Sequence, residues 1–431
     1  MSRVYDLVGV GIGPFNLSLA ALAEPVEDLS TAFLDAKPEF SWHPGLLIEG
    51  TTLQVPFLAD LVTLVDPTSR WSFLSYLAEH QRLFPFYFAE NFHISRREYD
   101  HYCRWVAESL PSCAFGKRVT AVRWNAGDEV FHVDAEDIHT AQRETLSARS
   151  VVLGVGTEPV VPETMRALLG KEVFHASEYL DRKESLRGAE DVTVIGSGQS
   201  GAEVALDLLR AQEQADWRVR WLTRSPAFAP MEYSKLGLEH FTPDYTRYFR
   251  ALPQEIRDQV VPQQWQLYKA SSAETLAAIH DVLYERSVGR DETGADLMPN
   301  VAVIGAQRDD DGIELACRHT EQERDFTVRT DRVVLATGFA ANRPSCLEPL
   351  SELIDWDESG RYQVGEDYRV ALRPEVTGDI YVQNAEMHSH GVGAPDLGLG
   401  AHRAATIINA ASQRRAYSLP QRTAFTTFGV T

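Results

Sequence analysis

Two stretches of this chain are built to one plan. YDLVGVGIGPFNLSLAALA (5–23) and DVTVIGSGQSGAEVALDLL (191–209) each read as an apolar strand, a glycine turn and an apolar helix. A strand that enters a helix through glycines leaves the free amides of the helix N-terminus facing an anion. Each such unit needs a parallel sheet with helices laid over it. Two of them in one chain therefore ask for two sheets and two phosphate-bearing ligands.

The expected fold class is α/β, with two Rossmann-like dinucleotide-binding domains and a small, mainly helical region. The second domain is expected to be inserted in the first, because apolar strand–glycine segments resume after it in DRVVLATGF (331–339) and DIYVQNAEMHSHGVG (379–393). The boundaries expected are 1–165 with 336–431, then 166–226 with 291–335, and a helical region at 227–290. In that region Leu276, Ile279 and Leu283 recur at helical spacing. Strand patterns also appear in FGKRVTAVRW, EVFHVDAED and RVRWLTRSP.

At 431 residues, 44% hydrophobic and 24% charged, the chain has material for two or three cores. No apolar run approaches the roughly 20 residues of a membrane span. The first strand is expected from about Val4, which leaves no room for a cleavable leader. Cys103, Cys113, Cys317 and Cys346 form no CxxC pair, which fits a reducing cytoplasm and removes a dithiol relay. A net charge of −21 repels nucleic acid and anionic membranes and favours cationic ligands. No metal site is expected.

In the first cradle Gly11 and Gly13 make the turn and the close approach, Pro14 opens the helix, and Asn16 stands where a third glycine often lies. The next strand, TAFLDAK, ends at Asp35, a carboxylate placed to accept from an adenosine ribose. The second cradle, Gly196, Gly198 and Gly201 with Gln199 and Ser200 between them, is an unbroken G-x-G-x-x-G. Its second strand ends in Arg224, which can pair with a 2′-phosphate where an acid would repel it. These residues are the expected cofactor contacts. The first site suits FAD and the second NADPH, a flavin acceptor beside a nicotinamide donor.

GxGPxNL at the start, FSWHPG (40–45), LQVPFLADLVTLVDPTS (53–69), GSGQSGAE (196–203) and ATGF (336–339) occur in this order. Together they resemble the flavin-dependent N-hydroxylating monooxygenases of siderophore biosynthesis, the lysine and ornithine N-hydroxylases and their diamine-using relatives, over essentially the whole chain. Phe339 stands where that family usually has tyrosine. The resemblance implies that NADPH reduces FAD, that O2 then gives a flavin 4a-hydroperoxide, and that a neutral primary amine attacks its distal oxygen. It implies that NADP+ stays bound and keeps water out. It also implies Gln54 near the reactive flavin face, Trp42 and His43 at the flavin edge, and a homo-oligomer, dimer or tetramer.

The same resemblance points to the substrate. Amino-acid hydroxylases of this family carry lysine in a motif FLKDL, where it neutralises the substrate carboxylate; here the motif is FLADL and the residue is Ala59. A family asparagine at the amino-acid end falls at Leu238, and another falls near Ser272, which stands beside Gln54 as a candidate at the reacting site. Locally, Ser271 and Glu274 read as N-cap and N3 of a capping box. An aliphatic diamine fits best, cadaverine before putrescine, with Glu239 or Asp60 as possible partners of its distal ammonium. The alternatives are a lysine or ornithine N-hydroxylase, another flavin oxidoreductase such as a reductase or Baeyer–Villiger-type oxygenase, and a non-catalytic dinucleotide sensor.

Overall fold

The computed structural model describes residues 3–212 and 217–430. Its first sheet runs, in spatial order, Cys113–Ala114, Thr31–Leu34, Val4–Val10, Arg143–Leu153, Val130–Asp137 and Lys117–Asn125, with Asp379–Val382 also joined to Arg143–Leu153. Val4–Val10 pairs in parallel with Thr31–Leu34 and with residues 147–153. Its last four residues are buried, as a strand covered on both faces requires. The helix Pro14–Ala23 that follows is apolar nearly all round, and nine of its ten residues are buried. It packs with Arg96–Ser109 and the last helix, Gly400–Ala411, in one core. Leu17 is fully enclosed there, so truncation to alanine would cost about 2–5 kcal/mol.

A second sheet is parallel throughout, in the order Ala295–Met298, Arg218–Leu222, Asp191–Ile195, Arg332–Leu335, Val173–His175. The helices Gln199–Ala211 and Ala273–Ser287 cover one face. Ile279 is buried in that contact, with Leu276 and Leu283 packed beside it, as their spacing predicts. An antiparallel sheet of Val301–Asp309, Gly312–His319 and Arg324–Thr330 covers the other face, through Ile313, Leu315 and Val328. Between the two large sheets the chain passes through a short antiparallel ribbon, Thr157–Pro159 against Phe339–Ala341. Most of residues 243–287 is helical, in Pro243–Ala251, Gln254–Gln263, Trp265–Tyr268 and Ala273–Ser287. Among the described residues no helix is long and apolar enough to cross a membrane, and all four cysteines are free thiols.

Candidate active site

The two cradles repeat one construction. Gly11 has φ +86°, and a Cβ there would lie 2.6 Å from the carbonyl oxygen of Gly154. Gly196 has φ +116°, and a Cβ would lie 2.2 Å from that of Ala336. Each turn is thus pressed onto the end of a neighbouring strand by a residue that must be glycine. Gly13 and Gly198 sit at the N-caps of the helices that follow, without side-chain caps. The first amides of both helices are left for a ligand. At Gly13 a Cβ would meet nothing nearer than 3.9 Å, so the approach is open.

Asn16 differs from its expected role as a cofactor contact. It is fully buried, donates from Nδ2 to Val10 O (3.3 Å) and Gly11 O (2.7 Å), and accepts from Gln383 Nε2 (2.7 Å). It braces the turn from behind, in space that the absent side chain of Gly154 leaves free. Asp35 closes the same turn, with Oδ2 accepting from Ile12 N (2.7 Å) and Oδ1 from Lys37 N (2.8 Å). In the second cradle Arg224 is exposed just past Arg218–Leu222, and among the described residues no carboxylate pairs with it. Ser200 lies in the first turn of Gln199–Ala211.

The FSWHPG loop lies against the second sheet. Trp42 N donates to Asp100 Oδ1 (2.7 Å), and its ring meets His43 and Tyr99 edge-on. His43, in a left-handed conformation at φ +48°, sets its ring edge-on to Phe339, which also meets His175. Burial, with Arg96 and Lys37 adding to it, pulls the His43 imidazole down to about 4. It is a neutral ring at neutral pH.

Gln54 is pinned on both sides. Its Nε2 donates to Thr52 O (2.9 Å), its Oε1 accepts from Arg96 Nη2 (3.3 Å), and its carbonyl accepts from Tyr233 Oη (3.4 Å). Arg96 forms an ion pair with Glu203 at 2.8 Å. Glu203 Oε1 accepts from Gln199 Nε2 (2.8 Å), and Gln199 Oε1 accepts from Ser272 N (2.6 Å). A polar chain therefore runs from Gln54 to the head of the second cradle's helix. Burial raises the Glu203 carboxyl, while Arg96 and the Gln199 amide pull against it.

Three expectations are corrected. The N-cap of Ala273–Ser287 is Ser272, not Ser271, and its Oγ accepts from Thr275 N (3.2 Å), so Glu274 does not stand at N3 and the expected capping box is not formed. Ser271 is fully buried and donates to Ser197 O (2.9 Å) beneath the second cradle, which fixes that register. Asp60 is a loop organiser: it accepts from Val62 N, Thr63 N, Thr63 Oγ1 and Phe73 N at 2.6–2.9 Å. Glu239 accepts from Phe425 N (3.0 Å) and Thr426 N (2.8 Å), which holds the C-terminal segment. Leu238 lies on the same short turn, Gly237–Phe241, and is 37% exposed. Ala59 is buried. Sequence reasoning missed Arg96, Glu203 and Tyr233, whose contacts with one another and with Gln54 link residues far apart in the chain.

Two sheets, each with parallel strands that end in a glycine cradle and joined by a polar link, define a protein built for two dinucleotides. The chain belongs to the L-lysine 6-monooxygenase/L-ornithine 5-monooxygenase family, whose model matches residues 3–341. It is 42% identical to a putrescine N-hydroxylase of Shewanella oneidensis over 99% of this chain and 84% of that protein. It is 45% identical to the rhizobactin siderophore biosynthesis protein RhbE of Rhizobium meliloti, over 99% and 95%. Among solved structures it matches FAD-bound DfoA, the cadaverine monooxygenase of desferrioxamine biosynthesis in Erwinia amylovora, with TM-score 0.96, 37% identity and coverage of 100% and 99%. The protein is an N-hydroxylating monooxygenase of siderophore biosynthesis that uses FAD, NADPH and O2. The free helix N-termini at Gly13 and Gly198, with the open approach at Gly13, fit two dinucleotides.

Proposed function

We propose that this enzyme hydroxylates one amine of an aliphatic diamine, cadaverine in the first place and putrescine next. The observation that carries the reading is Ala59: a buried methyl stands where the amino-acid hydroxylases resembled here place a lysine. Arg96, the cation beside Gln54, is already paired with Glu203. An α-carboxylate brought here would lose water without gaining a partner, at a cost on the order of 3–5 kcal/mol. A diamine carries no such group. The similarity to a putrescine N-hydroxylase and to a cadaverine monooxygenase supports the same class.

The flavin, when bound and reduced by NADPH, would supply the O2 chemistry. Gln54, held by Thr52 and Arg96, orients polar contacts at the reacting end. Gly11, Gly13, Pro14 and Asp35 would hold the FAD pyrophosphate and ribose, while Gly196, Gly198, Gln199, Ser200 and Arg224 would hold NADPH. The segments 1–165 with 336–431, 166–226 with 291–335, and 227–290 are proposed as the FAD, NADPH and substrate units, the enzyme being cytoplasmic and a homo-oligomer. The test is NADPH-dependent hydroxylamine formation with cadaverine, putrescine, lysine and ornithine offered separately, with hydrogen peroxide followed in parallel. Hydroxylamine from the diamines and peroxide alone from the amino acids is expected; the reverse sinks the proposal.

A further inference from the structure

A diamine has a second nitrogen, an ammonium at neutral pH, and the two acids that sequence suggested for it are both engaged elsewhere. One other carboxylate is placed to receive it. Asp396 lies in the loop between Met387–His390 and the last helix, where its Oδ1 caps the short turn Leu397–Leu399 by accepting from Gly398 N at 2.7 Å. Among the described residues no lysine, arginine or histidine forms an ion pair with it. Arg403, the cation whose charge reaches it, is itself paired with the fully buried Glu386 at 3.0 Å and donates to Ala394 O at 2.6 Å.

Protein walls in the Asp396 carboxyl and pushes it up to about 6, yet the residue keeps part of its surface open. Its neighbours place it. A Cβ built on Gly398 would lie 2.8 Å from Asp396 Oδ1 and 3.8 Å from the methyl of Ala59, so both border one small volume. Tyr233, which donates to the Gln54 carbonyl, feels the charges of Glu274 and, more weakly, Asp396. Phe15, in the first cradle's helix, borders Gly400 just beyond. Three loops, at 54–59, 231–233 and 396–400, meet here.

Resting on the diamine reading, we infer that Asp396 receives the distal ammonium of the substrate and that the small side chain of Ala59 leaves room for it. The polarity is the inverse of a lysine holding a carboxylate: an anion on one wall and a methyl on the other. A single charge-assisted contact in an enclosed site sets both specificity and the reach of the amine.

The test compares cadaverine with n-pentylamine, which has the same chain and lacks the second nitrogen, in wild type and in Asp396→Asn. Asparagine can still accept from Gly398 N, so the turn keeps its cap while the charge is lost. The preference for cadaverine over n-pentylamine in kcat/KM is expected to fall about 30-fold or more. Asp396→Glu, which keeps the charge, should retain a preference for diamines. A role confined to holding the loop would lower both amines together and leave the ratio unchanged, and that result overturns the inference. If wild type instead hydroxylates lysine and not cadaverine, the diamine reading itself fails. If wild type prefers diamines and Asp396→Asn keeps the same ratio, only the assignment of Asp396 fails.

Discussion

Arg96 and Glu203 meet at 2.8 Å, with 10% and 3% of their side chains exposed, across the gap between the two dinucleotide units. Arg96 opens the helix Arg96–Ser109 and also holds Gln54, whereas Glu203 lies one turn into the helix of the second cradle. The pair joins the cradle proposed to hold NADPH to the segment proposed to face the reacting flavin.

Removing one member of a buried pair leaves the other charge without compensation, a loss of about 3–5 kcal/mol. Glu203→Gln is therefore expected to lower the thermal midpoint. It should also raise the share of NADPH electrons released as hydrogen peroxide, because Gln54 loses its fixed partner. Thermal unfolding and the ratio of peroxide to hydroxylamine check this. A variant with wild-type stability and coupling would show the pair to be incidental.

Arg224 stands exposed at the end of its strand without an ion-pair partner among the described residues. If it holds the 2′-phosphate, Arg224→Ala should raise KM for NADPH by about 10–100-fold while that for NADH moves little. Initial rates with both nucleotides decide it. Equal losses with the two would place Arg224 outside the phosphate site.

Gly11 combines φ +86° with a Cβ position 2.6 Å from Gly154 O. Gly11→Ala should weaken FAD binding by about tenfold or more through backbone strain and displacement of the turn. The flavin absorbance of the purified variant reports it. A fully yellow protein would show that the turn tolerates a side chain.

The pH profile carries its own signature. The attacking amine must be neutral, and aliphatic amines titrate near that of lysine, about 10, so log kcat/KM should rise with a slope of about 1 toward alkaline pH. The distal ammonium binds only the ionised form of Asp396, whose burial holds it at about 6. As pH falls through about 6 the carboxyl takes up a proton and the slope should steepen to about 2. The groups facing it, Tyr233, raised to about 12 by burial, and Arg403 in its ion pair, keep their charge state across this window. His43 stays neutral above its value of about 4 and adds no inflection there. Steady-state rates from pH 5 to 8 test the steepening, which should vanish in Asp396→Asn.

The cradles were legible because their pattern is local: a strand, a glycine turn and a helix start follow one another in the chain. Their bracing was not. Asn16 occupies a glycine position and looks like a ligand contact, and its partner Gln383 lies 367 residues away. Asp60 and Glu239 are equally uninformative in sequence, since nothing nearby tells that Phe73 N and Phe425 N will occupy them. The serine pair at 271–272 shows the finest limit. Local capping rules fit either register, and the contact of Ser271 with Ser197 selects one. Asp396 gave no signal either, because its meaning depends on Ala59, more than three hundred residues earlier in the chain.

The most direct test of the substrate assignment is a competition. Equal concentrations of cadaverine and lysine are offered to the FAD-loaded enzyme with NADPH and O2, and the hydroxylated products are separated by mass. The buried methyl of Ala59 and the pairing of Arg96 with Glu203 predict that N-hydroxycadaverine dominates by a wide margin. Predominance of N-hydroxylysine would contradict the account and would mean that another group in the pocket holds the carboxylate.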